Sequence, residues 1–197
     1  MNFAVTLFVT LIRIALGIAI VYHLFKRSYK PIISVVCVLA LTYLPTVLDR
    51  FFSYRLDSFG NILYTIIILM TVYLGSALKF YDRFAWWDYA IHFMSGCLFV
   101  SAGVALVYRT VDLNRLPTLI FSFTLAIALH AIWEVLEYTF DCIFKSDNQR
   151  WQKAGPAHNH QSKLAIQPAG LVDTMNDTLI CILGTAMACL VWWFILY

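Results

Sequence analysis

The chain has 197 residues, 61% of them hydrophobic and only 13% charged, with a mean hydropathy of +0.76 and a formal net charge of +3. Soluble domains carry about 25% charged residues, so this composition excludes a soluble domain and places the chain in a bilayer. The small positive balance includes no basic run long enough to argue for nucleic acid, and five cysteines without a C-x-x-C pair suggest neither a disulfide framework nor a thiolate zinc site.

A helix needs about 20 apolar residues to cross a hydrocarbon core of about 30 Å. Six stretches qualify, at 3–22, 31–48, 62–78, 88–107, 117–140 and 172–196. The expected fold is all-α, a single polytopic bundle of six transmembrane helices over 1–197, with no room for a second domain. The first stretch reads as a retained segment rather than a cleavable signal, because its basic residues (Lys26, Arg27, Lys30) follow the apolar run and no A-x-A site appears. It also carries Arg13 near its middle, which calls for snorkelling, pairing with a neighbouring helix, or a role as counter-charge to membrane carboxylates. The second opens at Pro31 and contains Pro45 one turn before Asp49-Arg50. The connection from Asp49 to Asn61 mixes aromatic and charged residues as an interfacial turn does, and the third stretch, without charge, reads as a lipid-facing or packing helix.

Loops after spans one, three and five hold nine Lys and Arg, and the opposite loops four (Arg50, Arg55, Arg109, Arg115). Positive residues favour the cytoplasm, so both termini are expected outside. Before span four, Trp86 and Trp87 form an aromatic belt that fixes the depth of Asp88. The longest connection, 145–169, is polar and expected in the cytoplasm; one that long serves more often as a lid or binding loop than as filler.

Three short clusters of titratable residues carry the chemistry. Asp88 and His92, four apart, share a face with Ser95, Gly96, Phe99 and Gly103, a stripe of mostly small residues that lets another helix come close. His130, Glu134, Glu137 and Asp141 follow the i, i+4, i+7, i+11 series, which at about 100° per residue keeps them on one face. Fraying of the helix end is the simplest account of Asp141. Asp173, Asn176 and Asp177 open span six on the face continued by Ile180, Gly184 and Ala188. Because spans alternate in direction, all three clusters fall on one membrane side whichever way the chain inserts.

Membrane carboxylates mark ion, proton or substrate sites, since an ionised side chain at the bilayer centre costs roughly 2.5 to 3.5 kcal/mol on translocon scales. Six carboxylates with few internal cations need compensation by protons, by Lys79, Arg83 or Lys145 folding over, or by metal. Oxygen-rich ligands with one or two imidazoles suit a divalent metal such as Mg²⁺, Mn²⁺ or Zn²⁺, while the E-x-x-H pairs of di-iron bundles are absent. The ligand set is Asp88, His92, Glu134, Asp173 and Asp177. Glu137 is the candidate general base toward a water activated by the ion. His158 and His160 in the long connection are further candidates to complete the site.

The ordered set D-x3-H-F-x2-G at Asp88 to Gly96, W-E-x2-E-Y at Trp133 to Tyr138 and D-T-x2-D at Asp173 to Asp177 resembles the YjdF-like family of bacterial inner-membrane proteins, from Tyr81 to about Thr185. The resemblance implies a multi-pass protein of the bacterial inner membrane and weight on Asp88, His92, Glu134, Glu137, Asp173 and Asp177, without naming a reaction. The longer loop carrying His158 and His160 departs from the pattern. The expected function is a metal-dependent hydrolase or transferase acting on a lipid phosphate or ester, with membrane lipids as partners and substrate. The alternatives are a divalent-cation or proton-coupled transporter, against which the lack of repeat symmetry argues, and a non-catalytic subunit glued by polar contacts.

Overall fold

The computed structural model describes residues 2–110, 114–151 and 167–196, all of them in helices, turns or loops. Six helical segments are long and apolar enough to cross a membrane: Phe3–Phe25, Tyr29–Phe52, Ser58–Ala77, Trp87–Val107, Arg115–Phe144 and Ala169–Ile195. They coincide with the six expected spans. The exterior is correspondingly apolar: Leu179, Leu183, Leu190 and Phe194 of the last span are all exposed, as lipid contact requires.

Helix α1 (Phe3–Phe25) starts at Asn2, whose side chain accepts from the Val5 amide at 3.0 Å. The second span is two helices, α2 (Tyr29–Leu41) and α3 (Leu44–Phe52), with Pro45 at the start of the latter. Proline has no N–H to give the carbonyl four residues back. That carbonyl, Leu41 O, instead accepts from the Tyr64 hydroxyl at 3.0 Å, and the neighbouring Thr42 O accepts from Arg13 Nη2 at 2.9 Å. Arg13 also donates through Nε to Thr42 Oγ1 at 3.0 Å and lies 3.7 Å from the Tyr43 ring centre. Its charge is thus spent on a helix break, and of the three readings the neighbouring-helix pairing is the one realised.

The third span starts as α4 (Ser58–Ile68), capped by Asp57 through the amides of Phe59 and Gly60, and continues as a π-helix over Leu69–Ala77. π turns are rare and concentrate at functional sites. The wider turn leaves Met70 O open to the Trp87 indole N–H at 3.3 Å. Gly75 lies under the Tyr81 ring, which a Cβ would strike. A short helix, α5 (Phe80–Arg83), then brings Phe80, Phe84, Trp86 and Trp87 into one cluster of rings. Trp86 is exposed and suits the interface, whereas Trp87 is buried, so the expected two-residue belt is one residue facing out and one facing in.

Helix α6 (Trp87–Thr110) contains the most buried of the six spans and packs against α7 (Arg115–Phe144), α8 (Ala169–Ile195) and α4. The small residues decide how closely. A Cβ on Gly184 would collide with the backbone of Phe93, one on Gly96 with the backbone of Cys181 and Thr185, and one on Gly103 with Ser122. The α6–α8 contact is close enough for the Cys97 thiol to donate to Gly184 O at 3.3 Å. Helices α1, α2 and the π segment form a second packed group around Leu16, Val35, Val38 and Ile68.

Gly184→Ala is expected to lower stability by about 1–3 kcal/mol, the usual cost of overpacking a tight contact. Gly17→Ala, with open space around it, is expected to leave stability unchanged or raise it by about 0.5–1 kcal/mol. Melting of the two variants in detergent checks this: equal melting temperatures would mean that the α6–α8 contact is looser than described.

Candidate functional site

The three clusters meet. Asp88 and His92 open α6, Glu134 and Glu137 lie near the end of α7, and Asp173 and Asp177 open α8, so one end of the three-helix packing gathers them. His92 Nε2 stands 3.5 Å from Asp88 Oδ1 and 3.7 Å from Asp177 Oδ2, a contact that joins α6 to α8. His130 Nε2 is 3.6 Å from Glu134 Oε1, and the two imidazoles meet edge to face with centres 5.3 Å apart. All five of these side chains are buried, Asp177 at 2% exposure. Two triads therefore share His92: Asp88, His92 and Asp177, and His92, His130 and Glu134, each with ligand atoms within 4.8 Å of one another.

Two buried carboxylate oxygens in this group, Glu134 Oε1 and Asp177 Oδ1, have no hydrogen-bond partner. A buried, unmatched carboxylate oxygen is costly, and bound cations commonly satisfy such atoms. Ligand bonds of about 2.1 Å set neighbouring ligand atoms about 3.0–3.4 Å apart, so the two His92 contacts, at 3.5 and 3.7 Å, need only tenths of an ångström of closure around an ion. The donor set fits a divalent metal. His130 is less ready: its Nε2 lies 3.0 Å from Thr178 Oγ1, whose own proton goes to Thr174 O at 2.7 Å. Thr178 must then accept, which puts a proton on His130 Nε2 and makes that nitrogen a donor rather than a ligand.

Asp173 is buried one turn from Asp177, with Arg150 and His92 among its electrostatic partners. Glu137 is half-buried at the edge of the group, its Oε1 accepting from Trp133 Nε1 at 2.8 Å. Among the six sequence-selected residues, Asp88, His92, Asp177 and Glu134 come into one cluster, with Asp173 and Glu137 at its border. His158 and His160 lie outside the described residues.

Asp141 is neither frayed nor part of the cluster. It is buried, and it accepts from Ser146 Oγ at 2.7 Å, the Asn148 amide at 2.8 Å and the Gln149 amide at 3.0 Å. These bonds fold the chain back after α7, through the left-handed Lys145 (φ 53°), and bring two side chains onto the site. Gln149 Nε2 donates to Thr174 Oγ1 at 3.0 Å, and Thr174 lies beside Glu134. Arg150 Nη2 lies 2.9 Å from Asp88 Oδ2, with its side chain only 14% exposed. Burial opposes the guanidinium charge, but Asp88, Asp173 and Asp177 outweigh it and hold its pKa above the ordinary value. The cation that folds over the carboxylates is thus Arg150; Lys79, Arg83 and Lys145, the expected candidates, are exposed. The signal that could have found it is the polar run Ser146–Arg150 placed one turn beyond a buried-face aspartate.

Fold and site together define a multi-pass α-helical membrane protein with a buried carboxylate–imidazole cluster at one end of its last three spans. The chain belongs to the family described as predicted membrane protein (DUF2238), whose model matches residues 7–197. YjdF-like proteins are members of that family, so the resemblance holds and extends over the N-terminal spans as well. No curated protein and no solved structure matches the chain.

Asp141→Ala is expected to leave the amides of Asn148 and Gln149 unmatched, at a cost of about 1–3 kcal/mol. Trypsin should then cut after Lys145 and Arg150 faster than in the wild-type protein. Unchanged cleavage would show that Asp141 does not anchor this segment.

Proposed function

We propose that this membrane protein is a divalent-metal-dependent hydrolase or transferase acting on a lipid phosphate or ester at the cytoplasmic leaflet. The observation that carries the reading is the Asp88–His92–Asp177 group, spanning two helices and lying against two unmatched buried oxygens, Asp177 Oδ1 and Glu134 Oε1. Asp88, His92, Asp177 and Glu134 would hold the ion, with Asp173 completing the acidic wall and His130 orienting Glu134. The His92 imidazole favours Zn²⁺, and the three carboxylates around it also suit Mn²⁺. A bound divalent ion supplies Lewis acidity and lowers the pKa of a nearby water.

The chain's own groups would do the rest. Glu137, oriented by Trp133 and open on its outer side, is the general base that takes the proton from water. Arg150 neutralises one carboxylate without occupying the Asp88 oxygen that faces His92. Helix ends at headgroup depth put this chemistry where the polar end of a lipid lies, while the apolar exterior of α7 and α8 keeps the acyl chains beside it.

Elemental analysis of detergent-purified protein is expected to find about one Zn²⁺ or Mn²⁺ per chain, with retention falling more than tenfold in Asp177→Asn, as ligand loss outweighs the 10- to 100-fold effect of outer-shell mutations. Glu137→Gln should keep the ion while turnover of a lipid phosphate or ester falls about 10²- to 10⁴-fold. Metal-free wild-type protein, or full turnover in Glu137→Gln, sinks the reading. Saturable Mn²⁺ flux into proteoliposomes, lost in Asp177→Asn, would instead assign the same ligands to transport.

A further inference from the structure

We propose that Arg150, with Tyr81 and Tyr89 in its neighbourhood, forms an oxyanion subsite beside the cation site, and that the group it takes is a phosphoryl group. This rests on the divalent-cation reading above and selects phosphate over carboxylic ester as the substrate chemistry.

Asp88 divides its two oxygens between two neighbours. Oδ1 faces His92 Nε2 at 3.5 Å, and Oδ2 faces Arg150 Nη2 at 2.9 Å. The guanidinium therefore stands one carboxylate away from the cation site, with Asp88 Oδ1 left to face His92. A phosphoryl group carries several oxygens and can reach an ion and a guanidinium together. Despite the short distance, Arg150 Nη2 is buried without a hydrogen bond of acceptable geometry. The Nη2 of a strong donor is thus held in a largely dry place with its directional capacity unused.

The chain goes to some length to hold it. Arg150 has φ 51°, a left-handed conformation that costs a non-glycine residue of order 1 kcal/mol or more and is found where function fixes a side chain. Asp141, through its three acceptor bonds, keeps the backbone just before it in place. Two phenols approach from other elements. Tyr81, from α5, lies near Thr71 of the π-helix and interacts with Asp88 and Arg150; Tyr89, from α6, lies near Asn176 of α8 and interacts with Asp177, Asp173 and Arg150. An arginine, with its planar fork, matches two phosphate oxygens in a way that a lysine does not.

The same surroundings set an order. Asp88, Asp173, Asp177, Glu134 and Glu137 would repel an anion, so the phosphoryl group binds only after a divalent ion has entered. Inorganic phosphate and the headgroup of a phosphatidic acid share this chemistry.

The test is ³¹P relaxation with Mn²⁺ as the ion, using full-length protein in nanodiscs. Inorganic phosphate is added to discs of uncharged-headgroup lipid, and phosphatidic acid is supplied in a second disc preparation. Saturable relaxation enhancement of either phosphate is expected, with affinity about 10- to 100-fold weaker in R150Q, intermediate in R150K, and severalfold weaker in Tyr89→Phe. Phosphate affinities are compared at saturating Mn²⁺, because Arg150 touches the ligand Asp88, and uptake of one Mn²⁺ per chain reports that R150Q is folded. A response to lipid phosphate alone assigns the subsite to a headgroup, one to inorganic phosphate alone assigns it to free phosphate, and either supports the proposal. Wild-type protein that takes up no Mn²⁺ overturns the cation reading and this one with it. Protein that binds Mn²⁺ but leaves both phosphate signals unchanged, or binds phosphate equally well in R150Q, overturns this proposal alone.

Discussion

The backbone contact between α6 and α8 is what everything at the site depends on. Gly184 lies against the main chain of Phe93 and Gly96 against that of Cys181 and Thr185, so the two helices touch without side chains between them. In hydrocarbon this kind of association relies on van der Waals contact and interhelical hydrogen bonds, since lipid tails are as apolar as leucine. His92 is one turn from Gly96, and Asp177 is two turns from Gly184. Only with the axes this close can an imidazole on one helix reach a carboxylate on the other at 3.7 Å. Larger residues at these two glycines would separate the halves of the cluster before they altered anything else.

Compensation of charge is the second constraint, and it links the loop to the helices. Asp88, Glu134, Asp173 and Asp177 are all buried, and Arg150 offsets one of their charges while the imidazoles orient the rest. Asp141 serves this arrangement at a distance, since it shapes the backbone that carries Arg150 and Gln149. Those two side chains reach the two sides of the cluster, one directly at Asp88 and one at Thr174, beside Glu134. The segment after α7 is therefore coupled to both walls of the site.

Much of this was legible in the sequence for simple geometric reasons. Apolar length fixed the six spans, and the alternation of spans sent the starts of α6 and α8 and the end of α7 to one side. Helical spacing put Asp88 with His92, and His130 with Glu134, on inward faces beside a stripe of small residues. What periodicity does not encode is the path of the chain between helices. Arg150 reaches Asp88 because of a turn held by side chain to main chain bonds, and such bonds leave no repeating pattern. Trp87 turns inward because Met70 O is left open by the π-helix, and nothing in an uninterrupted apolar run announces that extra residue; Gly75 is its one local hint. Pro45 did announce the break in the second span, but not that Arg13 and Tyr64 would take over the orphaned carbonyls.

The π-helix has a further bearing on where lipid headgroups lie. Each of its turns accommodates more residues than an α turn and so rises less per residue, and it falls in the shortest of the six crossing segments, Ser58–Ala77. A hydrophobic length below that of its surroundings is accommodated by local thinning of the bilayer. A bilayer thicker than this span would have to thin beside it, which would carry headgroups at the π-helix end toward the level of Tyr81 and Asp88.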